Sequence, residues 1–414
     1  MNNTSGDGAE ITRVVSQKPL TKAYGVAADG AFEKGDAPGL SRATVERVPA
    51  SRAASLGSLL AATKSNEAFV LGSCQKPGDR HPLVVKEALS DNPDAVARTD
   101  EFFAYRPGSP AWLGLDLDVG QSPDDLRDRV EAAGGYRRVL GTVIPGLDQL
   151  DLVARPSSSS GIRNRKSGKS TGLRGLHIYI RASDGSDARR VVKAIHGRLV
   201  LAGFGWPFIT RAGTVQVRSI VDTVASGNGS RLWYEADAIL VDPALEHVPG
   251  GRKIVVQPGS PLDTSAIPDL TSLELERLRQ VAADIRSGAR EPAEVIKAHR
   301  ERELGANFQE VGRTPADYPI IELTGAHPIQ LDDGRVVRVI DLLAEPQAFH
   351  RLTCADPLEP EYNGGRNLAV IFTLPSPGRR AQPQIFSQAH GGQLYVFRLT
   401  AAEVIQFIRD KEHA

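Results

Sequence analysis

The chain has 414 residues, 41% hydrophobic and 24% charged, which is enough for one large domain or two to three ordinary ones with real cores. Its 50 basic and 50 acidic residues cancel, so a nucleic-acid binder of this composition has to concentrate its cations locally. No apolar run reaches membrane-spanning length and no signal peptide opens the sequence. Two cysteines, Cys74 and Cys354, without a C-x-x-C pair, argue for a reducing cytoplasm and against a disulfide framework or zinc ribbon.

In chain order, residues 1–36 are rich in Gly, Ala, Asp, Asn and Lys and read as a flexible N-terminus. Short helices are expected around residues 54–62 and 82–89, and a strand around 68–71. The run Trp112-Leu113-Gly114-Leu115-Asp116-Leu117-Asp118-Val119 follows. Read as a strand, it sends Leu113, Leu115, Leu117 and Val119 to a core and places Asp116 and Asp118 on the other face, roughly 6.5–7 Å apart. Two carboxylates held that close repel each other unless a cation sits between them, which points to a divalent metal. Ser122-Pro123 then starts a helix through Leu126 and Val130 that stops at Gly134-Gly135, and residues 138–144 read as a strand.

From Arg155 to Arg174 there are six basic residues (Arg155, Arg163, Arg165, Lys166, Lys169, Arg174) and no acid, with four serines, Ser157 to Ser160, among them. The stretch reads either as a solvated mobile loop or as a flexible basic tongue that grips phosphates. Within it Ser167-Gly168-Lys169-Ser170-Thr171 imitates the end of a phosphate loop. The full pattern needs a glycine where Arg163 stands and a helix after the lysine. Leu176-His177-Ile178-Tyr179-Ile180 alternates as a strand with His177 and Tyr179 on one face. An amphipathic helix from Asp187 runs through Val191, Val192, Ile195 and Leu199 to Gly203. A further strand is expected over residues 215–224, with Gln216, Arg218, Ile220 and Asp222 on one face, paired through the Gly227-Asn228-Gly229 turn with residues 230–236. A mixed sheet with helices on one side would then carry Asp116, Asp118, His177, Arg218 and Asp222. Beyond Pro261, Thr271-x-x-Glu274 forms a capping box ahead of a helical stripe, and a second helix is expected from Pro292. Residues 320–407 read as another α/β segment, with strands near 336–340, 368–373 and 394–399. His350, Cys354 and His390 could form a zinc site or leave Cys354 as core; their spacing matches no known finger.

The order WLGLDLDV, GLHIYI and VRSIVDTV resembles the three motifs of the archaeo-eukaryotic primase superfamily: an Asp-x-Asp strand, a small-x-His strand and a hydrophobic-Asp strand. The flanks ARTDEFFAYRPGSPAWLGLDLD and SRLWYEA resemble the bifunctional primase-polymerases of plasmids, phages and mobile elements, and the likeness spans about residues 40–265. CADPLEPEYNGGRNLAVIF and IFSQAHGGQLYVF resemble the segment joining such primases to a helicase, though no helicase motifs are found in this sequence. The resemblance implies an α/β (α+β) fold: an RRM-like sheet plus an N-terminal α/β unit over residues 37–265, a helical segment at 266–312 that engages template or helps start a primer, and a small C-terminal α/β domain at 313–414 that docks a partner.

It also implies a DNA-directed primase-polymerase, a nucleotidyltransferase that builds primers on single-stranded DNA from NTPs or dNTPs. Asp116, Asp118 and Asp222 would hold two divalent ions, Mg²⁺ or Mn²⁺, and His177 would contact the nucleotide phosphates. Arg218 is a candidate phosphate clamp, because its fork suits phosphate oxygens. Ser159, Ser160 and Lys169 are candidates by position. Arg231 reads as a phosphate contact or as the partner of an acid on the sheet. The cysteine-rich zinc element that many members carry is missing from the sequence. Two rival functions stand beside it: a non-catalytic single-stranded-DNA-binding replication protein that recruits a helicase, against which the three intact motifs count, and a gap-filling repair polymerase.

Overall fold

A computed structural model describes residues 8–35, 40–315, 317–365, 367–375 and 382–412. The chain is mixed α/β and divides into two compact units. The first comprises residues 1–206 and 218–281, the second 207–217 and 282–414.

The first unit is built on a four-stranded sheet. Its order runs from Val255–Gln257 through Leu152–Pro156 and Leu176–Ala182 to Ala111–Leu117. All three pairings are antiparallel, so the sheet is not the mixed one expected. The reason lies in the connections: Leu152–Pro156 and Leu176–Ala182 are joined as a hairpin, and Leu176–Ala182 lies between the two strands that the helices connect. One face carries Leu113, Leu115, Leu117, Leu152, Ile178 and Ile180. It packs against the helices Asp124–Ala132, Tyr136–Gly141 and Ala188–Leu199 through Leu126, Val130, Val139, Leu140, Val191 and Ile195. The alternation read from the sequence holds for Ala111–Leu117 and Leu176–Ala182; Leu152–Pro156 is a strand that the sequence reading did not expect.

The other face carries Trp112, Val153 and Tyr179, packed with Ile11, Phe69, Leu71, Trp233 and the helix Ala53–Ala61. Ile11 and Phe69 belong to a five-stranded sheet ordered Leu232–Trp233, Glu67–Val70, Glu10–Ser16, Arg42–Pro49, Arg80–Val84. The stretch expected to be flexible therefore supplies that sheet's central strand, with Ile11, Val14 and Leu20 fully buried. Residues 1–7 and 36 of that stretch lie outside the described residues.

Four other local expectations are corrected. Residues 138–144 are not extended: 138–141 belong to the helix Tyr136–Gly141 and 142–144 form the turn after it, with Val139, Leu140, Val143 and Ile144 buried, and so short an apolar run does not by itself distinguish helix from strand. The expected helix at 82–89 is the strand Arg80–Val84 followed by a single 3₁₀ turn, with His81 and Leu83 buried in alternation. The strand expected over 215–224 stops at Ser219, because the Asp222 carboxylate accepts the N–H groups of Val224 (2.7 Å) and Ala225 (3.4 Å) and closes a turn. It pairs with Gly205–Ile209 and not with residues 230–236. Leu232–Trp233 joins Glu67–Val70 instead, which delivers Trp233 to the core.

The second unit holds a six-stranded sheet ordered Phe308–Arg313, Pro319–Thr324, Gln393–Arg398, Gln384–Ser387, Ala369–Phe372, Thr353–Cys354. Pro319–Thr324 and Gln393–Arg398 pair in parallel and the rest are antiparallel. Its core gathers Phe308, Leu323, Ile329, Leu342, Leu358, Ile371 and Tyr395. The expected strand at 336–340 ends at Arg338, where the Asp341 carboxylate takes the Arg338 N–H (2.9 Å) and starts the helix Val339–Ala344. The Thr271–Glu274 capping box is present at the head of the helix Ser272–Gly288, and the next helix runs Arg290–Leu304.

Candidate functional site

Register places Arg155, His177 and Asp116 in one row across three strands. Asp116 faces away from the helical core, between the buried Leu115 and Leu117. Asp118 lies one residue past the strand's end. The outer edge of the Asp116 strand is occupied by the turn that follows Ser219. The Asp222 N–H donates to the Asp116 carbonyl (2.8 Å), the Ser226 hydroxyl accepts from the Asp116 N–H (2.9 Å), and the Gly227 N–H reaches the Gly114 carbonyl (3.3 Å). A turn held by these bonds brings Asp222 beside Asp116 where a regular strand was expected.

Burial and neighbouring charge bear on Asp116 and Asp118. Burial and then the charges of Asp116 and Asp222 push Asp118 up to about 6. Burial raises Asp116 as well, opposed by His177 and reinforced by Asp222. The cations facing them are Lys22, Arg218 and Arg231. Arg218 donates to the Gln121 side chain (2.9 Å) in the turn after Asp118. Lys22 donates to the Ser159 hydroxyl (2.8 Å); burial, then Lys34, holds its pKa below the ordinary value.

His177 is buried, with Nε2 3.7 Å from Asp116 Oδ1 and Nδ1 hydrogen-bonded to Glu235. Glu235 is fully buried, also accepts from the Tyr179 hydroxyl (2.6 Å), and faces Arg155 (3.8 Å) and Arg252 (4.0 Å). Burial disfavours a charged imidazole, but the Glu235 charge and hydrogen bond, with Asp116, outweigh it and raise His177. The same partner pulls Glu235 below its ordinary value against the effect of burial. The indole of Trp233 stands edge-on to His177 and Tyr179, each at 5.2 Å between centroids. It closes over Gly114, where a Cβ would lie 2.4 Å from the Trp233 ring and 2.6 Å from Leu71.

The structure thus gathers Asp116, Asp118, Asp222, His177, Arg218, Arg231 and Ser159. Ser160 is buried, and its hydroxyl accepts from the Arg174 N–H (2.9 Å) and donates to the Gly175 carbonyl (3.3 Å). Lys169 is exposed at a hairpin tip. Lys22 and Glu235 were not picked out from the sequence. Lys22 carries no motif, whereas Glu235 sits in the SRLWYEA flank, where alternation with the buried Trp233 was the available signal.

Carboxylate oxygens suit Mg²⁺ or Mn²⁺, and Asp118's raised pKa marks a place that favours a bound cation or proton. Among the described residues, however, no three His, Cys, Asp or Glu side chains are already gathered at metal-holding distance. The same holds for zinc: Cys354 is buried, His350 accepts the Leu374 N–H (3.1 Å) and His390 pairs with Glu359 (3.0 Å). The Gly168-Lys169-Ser170 stretch leads into the strand Leu176–Ala182 and not into a helix. Among the described residues no helix is long and apolar enough to cross a membrane. Compared with protein-family models, curated proteins and solved structures, the chain matches none.

Proposed function

We propose that the chain is a DNA-directed primase-polymerase of the archaeo-eukaryotic primase type, making primers on single-stranded DNA for a plasmid, phage or mobile element. The observation that carries this reading is the 2.8 Å bond from the Asp222 N–H to the Asp116 carbonyl, which sets the third motif's aspartate beside the first motif's pair. The row formed by Asp116 and His177 adds the second motif. An antiparallel sheet whose connecting helices lie on one face, entered as strand, helices, strand, strand, helix, suits the RRM-like core the resemblance implies. In this reading the second unit docks a replication partner such as a helicase.

Nucleotidyl transfer joins a primer 3′-hydroxyl to the α-phosphate of an incoming NTP or dNTP and releases pyrophosphate. Asp116, Asp118 and Asp222 would hold the divalent ions, which when bound would supply charge neutralisation and a more acidic hydroxyl. This chain's own cations do the rest. Lys22, Arg218 and Arg231, already drawn toward the carboxylates, hold triphosphate oxygens by charge and hydrogen bonds. Glu235 and Tyr179 keep the His177 ring oriented with Nε2 toward the site. Glu235 is a positioning residue, not a group that touches substrate.

Extension of a pre-annealed primer in Mg²⁺ or Mn²⁺ tests the proposal. Asp118→Asn should lower the rate on the order of 10³-fold, the effect of several kcal/mol of lost charge stabilisation. An unaltered rate in that variant would remove the carboxylates from the chemistry.

A further inference from the structure

The basic stretch after Pro156 folds as a hydrogen-bonded hairpin. It leaves the sheet between Pro156 and Leu176, which pair with each other, while Leu176 also pairs with Leu117, so it rises at the end of the sheet where Asp118 lies. Its returning stem is tied there: the Gly120 N–H donates to the Arg174 carbonyl (2.7 Å). Ser159, at the base of its outgoing stem, holds Lys22. Ile162–Asn164 pairs with Leu245–His247. The tip is fixed by Asn164, whose side-chain oxygen accepts the N–H groups of Lys166 (2.9 Å) and Ser167 (3.1 Å), and whose own N–H donates to the Lys169 carbonyl (2.9 Å).

Charge on this hairpin is sorted. Arg163 and Arg165 both bind Glu246, at 2.8 and 2.9 Å. Among the described residues no ion pair holds Lys166 or Lys169, and both are exposed. Two free ammonium groups on a hydrogen-bonded tip, with no acid from Arg155 to Arg174, form an arrangement that suits successive phosphates of a flexible strand.

We propose that this hairpin grips the phosphate backbone of single-stranded nucleic acid through Lys166 and Lys169, and that Glu246 limits the grip by neutralising Arg163 and Arg165. That the bound strand is a template rests on the polymerase reading; the grip itself does not.

The test is binding of a labelled oligothymidylate by fluorescence anisotropy over a range of salt, using the full chain. Each phosphate contact to a single strand contributes about 0.7 to the slope of log K against log salt. The Lys166→Gln, Lys169→Gln double variant should flatten the slope by about 1.4, and Glu246→Gln should steepen it by up to about 1.4 as two arginines are released. Asp118→Asn should not flatten it. An unchanged slope in the double variant, or a flatter one in Glu246→Gln, overturns the proposal. So does a wild type that ignores DNA but is retained by anionic vesicles through the same lysines. The predicted slopes in a chain that extends no primer would keep the hairpin's role and remove the polymerase reading.

Discussion

Asp118 is the residue at which structure, charge and chemistry meet most directly. Its carboxyl is raised from 3.8 to about 6 by burial and by Asp116 and Asp222. Below about pH 4 the folded and unfolded chains both hold the proton; between about pH 4 and 6 only the folded chain keeps it. Stability contributed by this group is therefore full below pH 4, is lost as pH rises through 6, and stays lost at neutrality. The ionised carboxylate then costs the fold on the order of 1–2 kcal/mol, once solvent screening is allowed for. Asp118→Asn should unfold at higher temperature than wild type at about pH 7.5 and show no such gain at about pH 4. An equal difference at both pH values would mean that neither burial nor the neighbouring carboxylates raise this group. Single residues differed in how legible they were. Asp116, Asp118 and His177 stand out because polar groups on an apolar strand break its pattern. Lys22 and Glu235 reach the site through pairings distant in sequence, Lys22 to Ser159 and Glu235 to His177, which no local window reveals.

At the scale of elements, the Asp116 strand is held from both sides by packing that its own residues specify. Leu113, Leu115 and Leu117 enter the helical core, and Gly114 on the opposite face leaves room for Trp233. Gly114→Ala should displace the indole, which also touches the His177 and Tyr179 rings, and destabilise the fold by about 1–3 kcal/mol. Chemical denaturation measures it; a loss below about 0.5 kcal/mol would show that the ring moves freely. Alternation made Ala111–Leu117 and Leu176–Ala182 readable, whereas Leu152–Pro156 between them in chain order was not read as a strand, its end being taken as the start of the basic loop. The strand after Gly213 was over-extended because its second half has strand-like residues, Ile220 and Val221, in a turn fixed by Asp222 and by Gly227 on Gly114. Residues 138–144 went the other way: a short run rich in Val, Leu and Ile reads as a strand, whereas its buried positions recur at helical spacing.

For the whole molecule, the division into two units sets an expectation about where ion binding resides. Asp116, Asp118, Asp222, His177 and Lys22 all belong to the first unit. A chain ending at residue 281 should keep its response to Mn²⁺: an ion at a hundred times its Kd adds about 2.7 kcal/mol to stability. Thermal unfolding with and without Mn²⁺ checks this, and Asp116→Asn with Asp118→Asn should abolish the response. A response that persists in that double variant would place the ion elsewhere. Composition and periodicity identified an α/β chain with several cores; the second unit's use of residues 207–217 has no local sequence signal, because it arises from packing between segments far apart in sequence.

The central claim is that three aspartates brought together at the edge of one sheet make a primer-building site. It is tested most directly by synthesis on unprimed single-stranded DNA with labelled NTPs or dNTPs in Mg²⁺ or Mn²⁺, run beside Asp118→Asn. The account predicts short products from the wild type, dependent on the added metal, and none from the variant. A wild type that makes no product even when a primer is supplied, or a variant as active as the wild type, would contradict it.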